Sequence, residues 1–491
     1  MAQVSTKPHV ALFASPGIGH LIPVLQLGER FVSRHNFVVT VFVVVTDAAT
    51  AESQLKQQSS YKNLLNVVLL PPVDLTSLTN KPLAILSQLV LIVRQSLPDL
   101  RSAIASMKSR PTALIVDLFG TEAFAIADEF HMLKYEFFTT NAWFLALTLY
   151  APHVDREHED DHILRHMPLH IPGCASILYE DTVDVYTDRN DKLLHDDYVR
   201  IGRRLAEADG ILINTWESLE PKTLQALRDP KAFGRFSQVR ILPIGPLVSG
   251  FQSFGSSQPK DDILQWLDDQ PTESVLYVSF GSGGTLSADQ LTELAWGLEQ
   301  SQHRFIWVVR PPQENSACGA YFEQAKRADG TPEYLPDGFV TRTQKLGLVV
   351  PMWAPQREIL AHPSIGGFLS HCGWNSTLES LINGVPLIAW PLYAEQTMNA
   401  TMLTDQLGIA ARSRELMPNG VLGRHEIEKM VRTVMNKEDA KGETIRARSQ
   451  DLKRTALLAV AEGGSSYAAL SQVAQECKIG LVGLKQRARG A

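Results

Sequence analysis

Short runs of β-branched and aromatic residues recur along this chain, each followed by a loop and a helix-like stretch. The first series is HVALFAS, FVVTVFVVV, NVVLL, ALIVD, YEFFTT and GILINT, with helical patterns such as Leu21–Ser33 and Thr121–Phe130 between them. A second series, SVLYVSF, RFIWVVR, GLVVP, GGFLS and VPLIAWP, follows the stretch ILPIGPLVSGFQSFGSSQPKDD, whose Gly, Ser and Pro density marks a linker. Alternation of this kind is the pattern of parallel sheets joined by crossover helices. The restart of the unit predicts an α/β fold of two doubly wound parallel-sheet domains facing each other, with a ligand cleft at the carboxyl ends of the strands.

Length agrees, because 491 residues are roughly two to three times a typical single domain. The composition, 44% hydrophobic and 20% charged, is that of a globular chain. A net charge of -7 argues against general nucleic-acid binding, which needs clustered Lys and Arg. Four cysteines, Cys174, Cys318, Cys372 and Cys477, lie far apart without CxxC spacing, so neither a disulfide framework nor a zinc ribbon is indicated. The apolar start HVALFAS stops at Pro16-Gly17, and FVVTVFVVV is too short to span a bilayer. A cytoplasmic protein with no membrane span is expected. Two segments resist the repeating pattern: 155–200, which opens with DREHEDDH, and the long connection 311–338. Long connections of this kind are often functional; the His and acidic cluster lacks metal-ligand spacing and reads as a solvated loop.

Three loops follow strands and precede helices. ASPGIGHLIP puts Gly17, Gly19 and His20 after the first strand, but the third glycine of a dinucleotide fingerprint would fall on Ile22. SFGSGGTLSADQ offers Gly281, Gly283 and Gly284 for close backbone approach and Ser282 as a phosphate partner, with Ser287 and Gln290 at capping-box spacing. It lacks the Lys of a P-loop. The third loop delivers His371 to a helix predicted from about Asn375 to Asn383, ended by Gly384. A diphosphate there meets backbone N–H groups, the positive end of the helix dipole, and His371, Asn375 and Ser376. Glu379, one turn on, shares a face with Asn375 and suits ribose hydroxyls. Upstream, Trp353 is a flat surface for a base and Gln356 an amide for its edge; downstream, Glu395 and Gln396 suit sugar hydroxyls.

The 44 residues from Trp353 to Gln396 resemble the donor signature box of plant UDP-dependent glycosyltransferases of small molecules. Likeness to that family extends over nearly the whole chain, through PGIGHLIP, VDLFG, IPGC, GILINTW and SFGSGG. VDLFG with IPGC is most similar to the branch acting on hydroquinone, monolignols and other simple phenylpropanoids.

The resemblance implies the GT-B arrangement, with an acceptor-binding domain over 1–247, a linker over 248–262, a UDP-sugar domain over 263–464, and a C-terminal helix and tail, 465–491, returning to the first domain. Carried onto matching positions, it puts Trp353 and Gln356 at uracil, Glu379 at the ribose, and Ser282, His371, Asn375 and Ser376 at the diphosphate, with Ala354 also among the donor-binding residues. Trp374, at position 22 of the box, and the final Glu395-Gln396 resemble glucose users, so UDP-glucose is the expected donor. His20 and Asp117 become the catalytic pair: an imidazole, with a reference pKa of about 6.5, accepts the acceptor's proton while the carboxylate steadies it. Inversion at the anomeric carbon gives a β-glucoside. With no Asp-x-Asp element, no metal or other cofactor is expected, and the helix N-terminus and His371 are to supply positive potential to the leaving UDP.

A phenolic acceptor is expected, because a His base activates a phenol far more easily than an alkyl alcohol. Gly17, Phe119, Phe138 and Trp143 are candidate acceptor-pocket residues, and Thr140 is the candidate contact to the sugar's 6-hydroxyl. FFTTNAW departs from the family locally, with Thr139 where relatives often carry Pro and Asn141 where a small hydroxyl residue is common. The alternatives are the same donor with an N-, S- or carboxylate acceptor, and a UDP-sugar-binding protein without catalysis. A monomer with no nucleic-acid partner is expected.

Overall fold

The structure, a computed structural model, describes residues 7–45, 65–74, 83–154, 162–187, 192–234, 236–248, 262–313, 334–415 and 420–490, without the side chains of 187, 192 and 481–490. The linker 248–262 (apart from its end residues), the DREHEDDH cluster up to residue 161, and 314–333 of the long connection lie outside the described residues.

By internal contact the chain divides into two units: Met1–Tyr179 with Val185–Ser249 and Leu458–Ala491, and Glu180–Asp184 with Gly250–Leu457. Thus five residues from the first half of the sequence group with the second unit. Asp181 is buried there, accepting from Arg412 at 3.0 Å and Arg414 at 2.6 Å.

Among the described residues the first unit carries seven parallel strands: β1 (His9–Ala14), β2 (Val38–Val43), β3 (Asn66–Leu69), β4 (Ala113–Asp117), β5 (Leu133–Phe138), β6 (Gly210–Ile213) and β7 (Ile241–Pro243), in the order β3-β2-β1-β4-β5-β6-β7. The reversal of direction at β1 and β4 makes the sheet doubly wound. Val10, Leu12, Val39, Val41, Ile115, Tyr135, Phe137 and Leu212 cover one face and pack with Leu21, Leu25 and Phe31 of helix α1 (Ile18–His35). A long C-terminal helix, Ser465–Gly490, completes this face with Leu470, Val473, Ala474 and Cys477, which recur at i, i+3, i+4 and i+7 on one side of a helix. Glu476 on the same helix receives both arms of Arg240, at 2.6 and 2.8 Å, and the hydroxyl of buried Tyr135.

Among the described residues the second unit has six parallel strands: β8 (Val275–Ser279), β9 (Arg304–Val309), β10 (Gly347–Pro351), β11 (Ile365–Ser370), β12 (Leu387–Ala389) and β13 (Ala410–Ala411), in the order β10-β9-β8-β11-β12-β13. Its switch point falls between β8 and β11, whose loops are the Gly-rich one and the one carrying His371. Strands covered on both faces read as unbroken apolar runs, which is why most of both sheets could be predicted. β7 and β13 escaped prediction. They contain three and two residues, and the ILP of β7 sits in the Pro-rich stretch that reads as a linker.

Candidate functional site

In the first unit, β1 and β4 are hydrogen-bonded neighbours with Phe13 beside Val116, so their carboxyl ends bring Ser15 against Asp117. The Ser15 backbone N–H donates to Asp117 Oδ2 at 2.8 Å and its hydroxyl to Oδ1 at 2.5 Å. Gly17 then turns the chain with φ 102°, a conformation a side chain would resist, and α1 begins with His20 in its first turn. His20 Nδ1 lies 3.3 Å from Asp117 Oδ2, within ion-pair reach but off hydrogen-bond alignment. Asp117 has no exposed surface, whereas the His20 side chain keeps 17%. A buried carboxylate fixed by two donors thus backs an imidazole that still reaches solvent. Such a pair can take a proton from a ligand hydroxyl and hold the resulting charge.

The aromatic residues near this pair divide. Phe119 sets its ring 5.1 Å from that of His20. Phe138 and Trp143 are 0% and 1% exposed, and Phe138 packs on Phe144, so in this structure both are core residues presenting no surface to a ligand. Thr140 is buried with its hydroxyl unpartnered, and the Trp143 indole N–H is unpartnered too. Asn141 has a local explanation: its side chain caps the helix Ala142–Tyr150 by accepting from the Phe144 N–H at 2.9 Å. Glu220 accepts from the N–H groups of Ala142 and Trp143, and burial lifts its pKa to about 7.

In the second unit the signature segment is assembled as an internally bonded patch. The helix Trp374–Asn383 starts after Gly373 and ends at Gly384, with φ 69°. Trp353 is 55% exposed, a flat apolar surface open to solvent, and Ala354 beside it is buried. Gln356 Nε2 donates to Ser376 Oγ at 2.9 Å and to Glu379 Oε2 at 2.7 Å. Burial pushes the Glu379 carboxyl up to about 7, against the lowering by Gln356. These three side chains, expected at base, phosphate and ribose, are bonded to one another here. A ligand must exchange those bonds for its own.

Trp374 is buried, Asn375 stands half-buried on the first turn, and Ser282 is exposed on its glycine loop. Gln396 is 4% exposed, and its Oε1 accepts from the N–H groups of Leu392 and Tyr393 at 2.9 and 3.2 Å. Its carbonyl end therefore shapes its own loop, and only the amide N–H₂ end is left to act on a sugar. Asn399 donates to the Cys372 carbonyl and, at 3.4 Å, to Glu395. The capping box is half formed: Ser287 Oγ accepts from the Gln290 N–H at 3.2 Å, but the Gln290 side chain bonds the backbone of Leu422 instead.

His371 requires a correction. Its ring lies between Gly281 and Gly373, where an added Cβ on either would come within 2.5 or 2.4 Å of the imidazole. So enclosed, and with Arg310 nearby, its pKa falls to about 4. At neutral pH it is uncharged, and the positive potential expected from it is absent. Sequence reasoning missed both Ser15, which orients Asp117, and Arg310, the cation beside His371. The only available signal for Arg310 was a lone charge closing the apolar run RFIWVVR.

Among the described residues no group of three or more His, Cys, Asp or Glu side chains is arranged to hold a metal ion, and no helix is long and apolar enough to cross a membrane.

Comparison with known proteins gives consistent results. Residues 248–450 match the family model described as UDP-glucoronosyl and UDP-glucosyl transferase. The chain is 49% identical to UDP-glycosyltransferase 72E1 of Arabidopsis thaliana, over 99% of each chain. It is 44% identical to hydroquinone glucosyltransferase of Rauvolfia serpentina, over 96% of this chain and 97% of that one. The crystal structure of TcCGT1 in complex with UDP superposes with a TM-score of 0.89 and 47% identity, covering 97% of this chain and 100% of that one.

Proposed function

The chain belongs to the UDP-glycosyltransferase family, and from that premise we propose that it transfers glucose from UDP-glucose to a hydroxyl of a small phenolic acceptor, giving a β-O-glucoside and UDP. The observation that carries this reading is the buried Asp117, fixed by Ser15, behind a solvent-reaching His20 and its neighbour Phe119. The family's donor box, present with every expected residue, supports the nucleotide sugar as co-substrate. A relative named for hydroquinone, a phenol, supports the acceptor class.

In this mechanism the acceptor O–H gives its proton to His20, and Asp117 stabilises the imidazolium as it forms. The freed oxygen attacks the anomeric carbon from the face opposite UDP. The bond from that carbon to the diphosphate oxygen breaks, UDP leaves with the electron pair, and the configuration inverts. Trp353 stacks on the uracil, Gln356 reads its edge, and Glu379 takes the ribose hydroxyls. Ser282, Asn375, Ser376 and the N-terminus of the helix Trp374–Asn383 hold the diphosphate, with His371 as a neutral hydrogen-bonding partner. Glu395, the Gln396 amide and Thr140 contact the sugar. Transfer needs no metal, and the enzyme works as a cytosolic monomer.

The test is incubation of purified protein with UDP-glucose, EDTA and a panel of phenols, alkyl alcohols, carboxylic acids, anilines and thiols, with products read by mass and anomeric configuration by NMR. β-Glucosides of phenols are expected. Product only on carboxylic acids, anilines or thiols, or dependence on added metal, would overturn the corresponding part of the reading.

A further inference from the structure

Arg310 follows β9, the strand between β10 and β8 in the second sheet. Its guanidinium bridges the loops on either side. Nη1 donates to the carbonyl of Gly281 and, at 3.4 Å, to that of Gly284; Nη2 donates to the carbonyl of Met352 at 3.2 Å. Met352 has φ 67°, a conformation that a side chain resists, so the bend before Trp353 is held where support is needed, whereas the φ of 73° at Gly281 is open to glycine. One of these loops carries Ser282 and the other leads into Trp353.

The charge balance of this residue is unusual. Arg310 is largely enclosed, its Nε–H is buried without an acceptor, and no carboxylate among the described residues lies within ion-pair reach of it. Carbonyl dipoles satisfy donors but bring no counter-charge, and a buried ion without one is costly. Nearby stand the exposed Ser282, the neutral His371 and the helix start at Trp374, groups that favour an anion and supply no full positive charge of their own.

We infer that Arg310 is the fixed positive charge of the donor site, a positioning residue that ties the Gly281–Gly284 loop to the Met352–Trp353 bend and whose counter-ion is the diphosphate of the nucleotide sugar. The inference rests on the UDP-sugar reading above and adds to it the source of the charge that offsets the leaving UDP. It also explains how a site whose histidine is neutral accommodates a diphosphate.

The experiment compares wild type, Arg310→Gln and Arg310→Lys in binding UDP, by calorimetry, and uridine, by NMR titration. Uridine presents the base and ribose without the charge. For charges several ångströms apart at an effective dielectric of about 20, Arg310→Gln is expected to weaken UDP roughly ten- to a hundredfold. Uridine is expected to stay within about twofold, and Arg310→Lys, which keeps the charge but not the planar fork, to recover most of the UDP affinity. Equal losses for uridine and UDP would reduce Arg310 to a loop support and overturn the inference, as would UDP binding unchanged in Arg310→Gln. Wild-type protein that binds uridine and UDP alike would also overturn it, whereas wild type that binds neither would bring down the donor reading itself.

Discussion

The donor patch of the second unit and the His20–Asp117 end of the first unit are built in opposite ways. The donor patch draws mainly on 44 consecutive residues, with Ser282 and Arg310 added from earlier loops, and Gln356, Ser376 and Glu379 bond to one another while Arg310 Nε and His371 Nδ1 stay unpartnered. The catalytic end gathers Ser15, His20, Asp117, Phe119 and Thr140 from the ends of β1, β4 and β5, with His20 Nδ1 facing Asp117 at 3.3 Å and Thr140 Oγ1 buried without a partner. The contrast is one of assembly: a contiguous stretch of chain on one side, residues that meet only through strand pairing on the other.

The contrast is sharpened most by His20→Ala. General-base catalysis contributes on the order of 10²–10⁴-fold, so turnover on phenols is expected to fall by about 10³-fold, while UDP affinity, measured by calorimetry, stays at the wild-type value. Equal loss of both would end the separation of roles. Next in size is Trp353→Ala. Loss of base stacking weakens UDP and uridine alike by about 1–3 kcal/mol, with kcat on saturating UDP-glucose nearly unchanged.

Glu136 tests the cost of a buried, unpartnered group beside the His20–Asp117 end from the stability side. Its carboxyl is wholly buried on β5, and burial, reinforced by Asp117, raises its pKa well above the ordinary value of 4.5. The folded state thus holds a proton that the unfolded chain releases once pH exceeds about 4.5. Stability is lost as pH rises from there toward the folded pKa. Glu136→Val, which fits the apolar strand, is expected to raise stability at pH 7 by about 1–3 kcal/mol, with a smaller gain at pH 4.5, read by urea unfolding. No gain would mean that the carboxyl is satisfied after all.

The smallest effect belongs away from both sites. Arg240, with Tyr135, holds Glu476 down to about 2, against burial. Its contribution is full above the unfolded value of 4.5 and fades as pH falls toward 2. Because the pair is partly exposed, Glu476→Gln should cost no more than about 1 kcal/mol at pH 7, and the difference from wild type should shrink in acid.

Much of this was legible in the sequence, for identifiable reasons. Both-face burial makes parallel strands read as apolar runs, and apart from Ser282 the residues expected to hold the donor lie in one stretch, Trp353 to Gln396. What escaped depends on three-dimensional neighbours. The role of Ser15 arises only because β1 pairs with β4, and that of Arg310 only because β9 lies between two loop-bearing strands. The neutrality of His371 comes from enclosure between Gly281 and Gly373, and Gln396 turns its carbonyl inward because its own loop closes on it. Phe138 and Trp143 carry the residue types of a pocket but the burial of a core.

The return of residues 458–491 to the first unit has a consequence in time. A ribosome adding about 5–20 residues per second finishes the last strand of the first sheet, β7, well over two hundred residues before Leu470, Val473, Ala474 and Cys477 emerge to cover its apolar face. For an interval on the order of tens of seconds the nascent chain displays that face while the entire second unit is being made. The order of synthesis therefore makes the first unit to be started the last to be sealed. A chain cut after residue 457 should stay in that unsealed state, bound by chaperones or aggregated, with an intact second unit beside it.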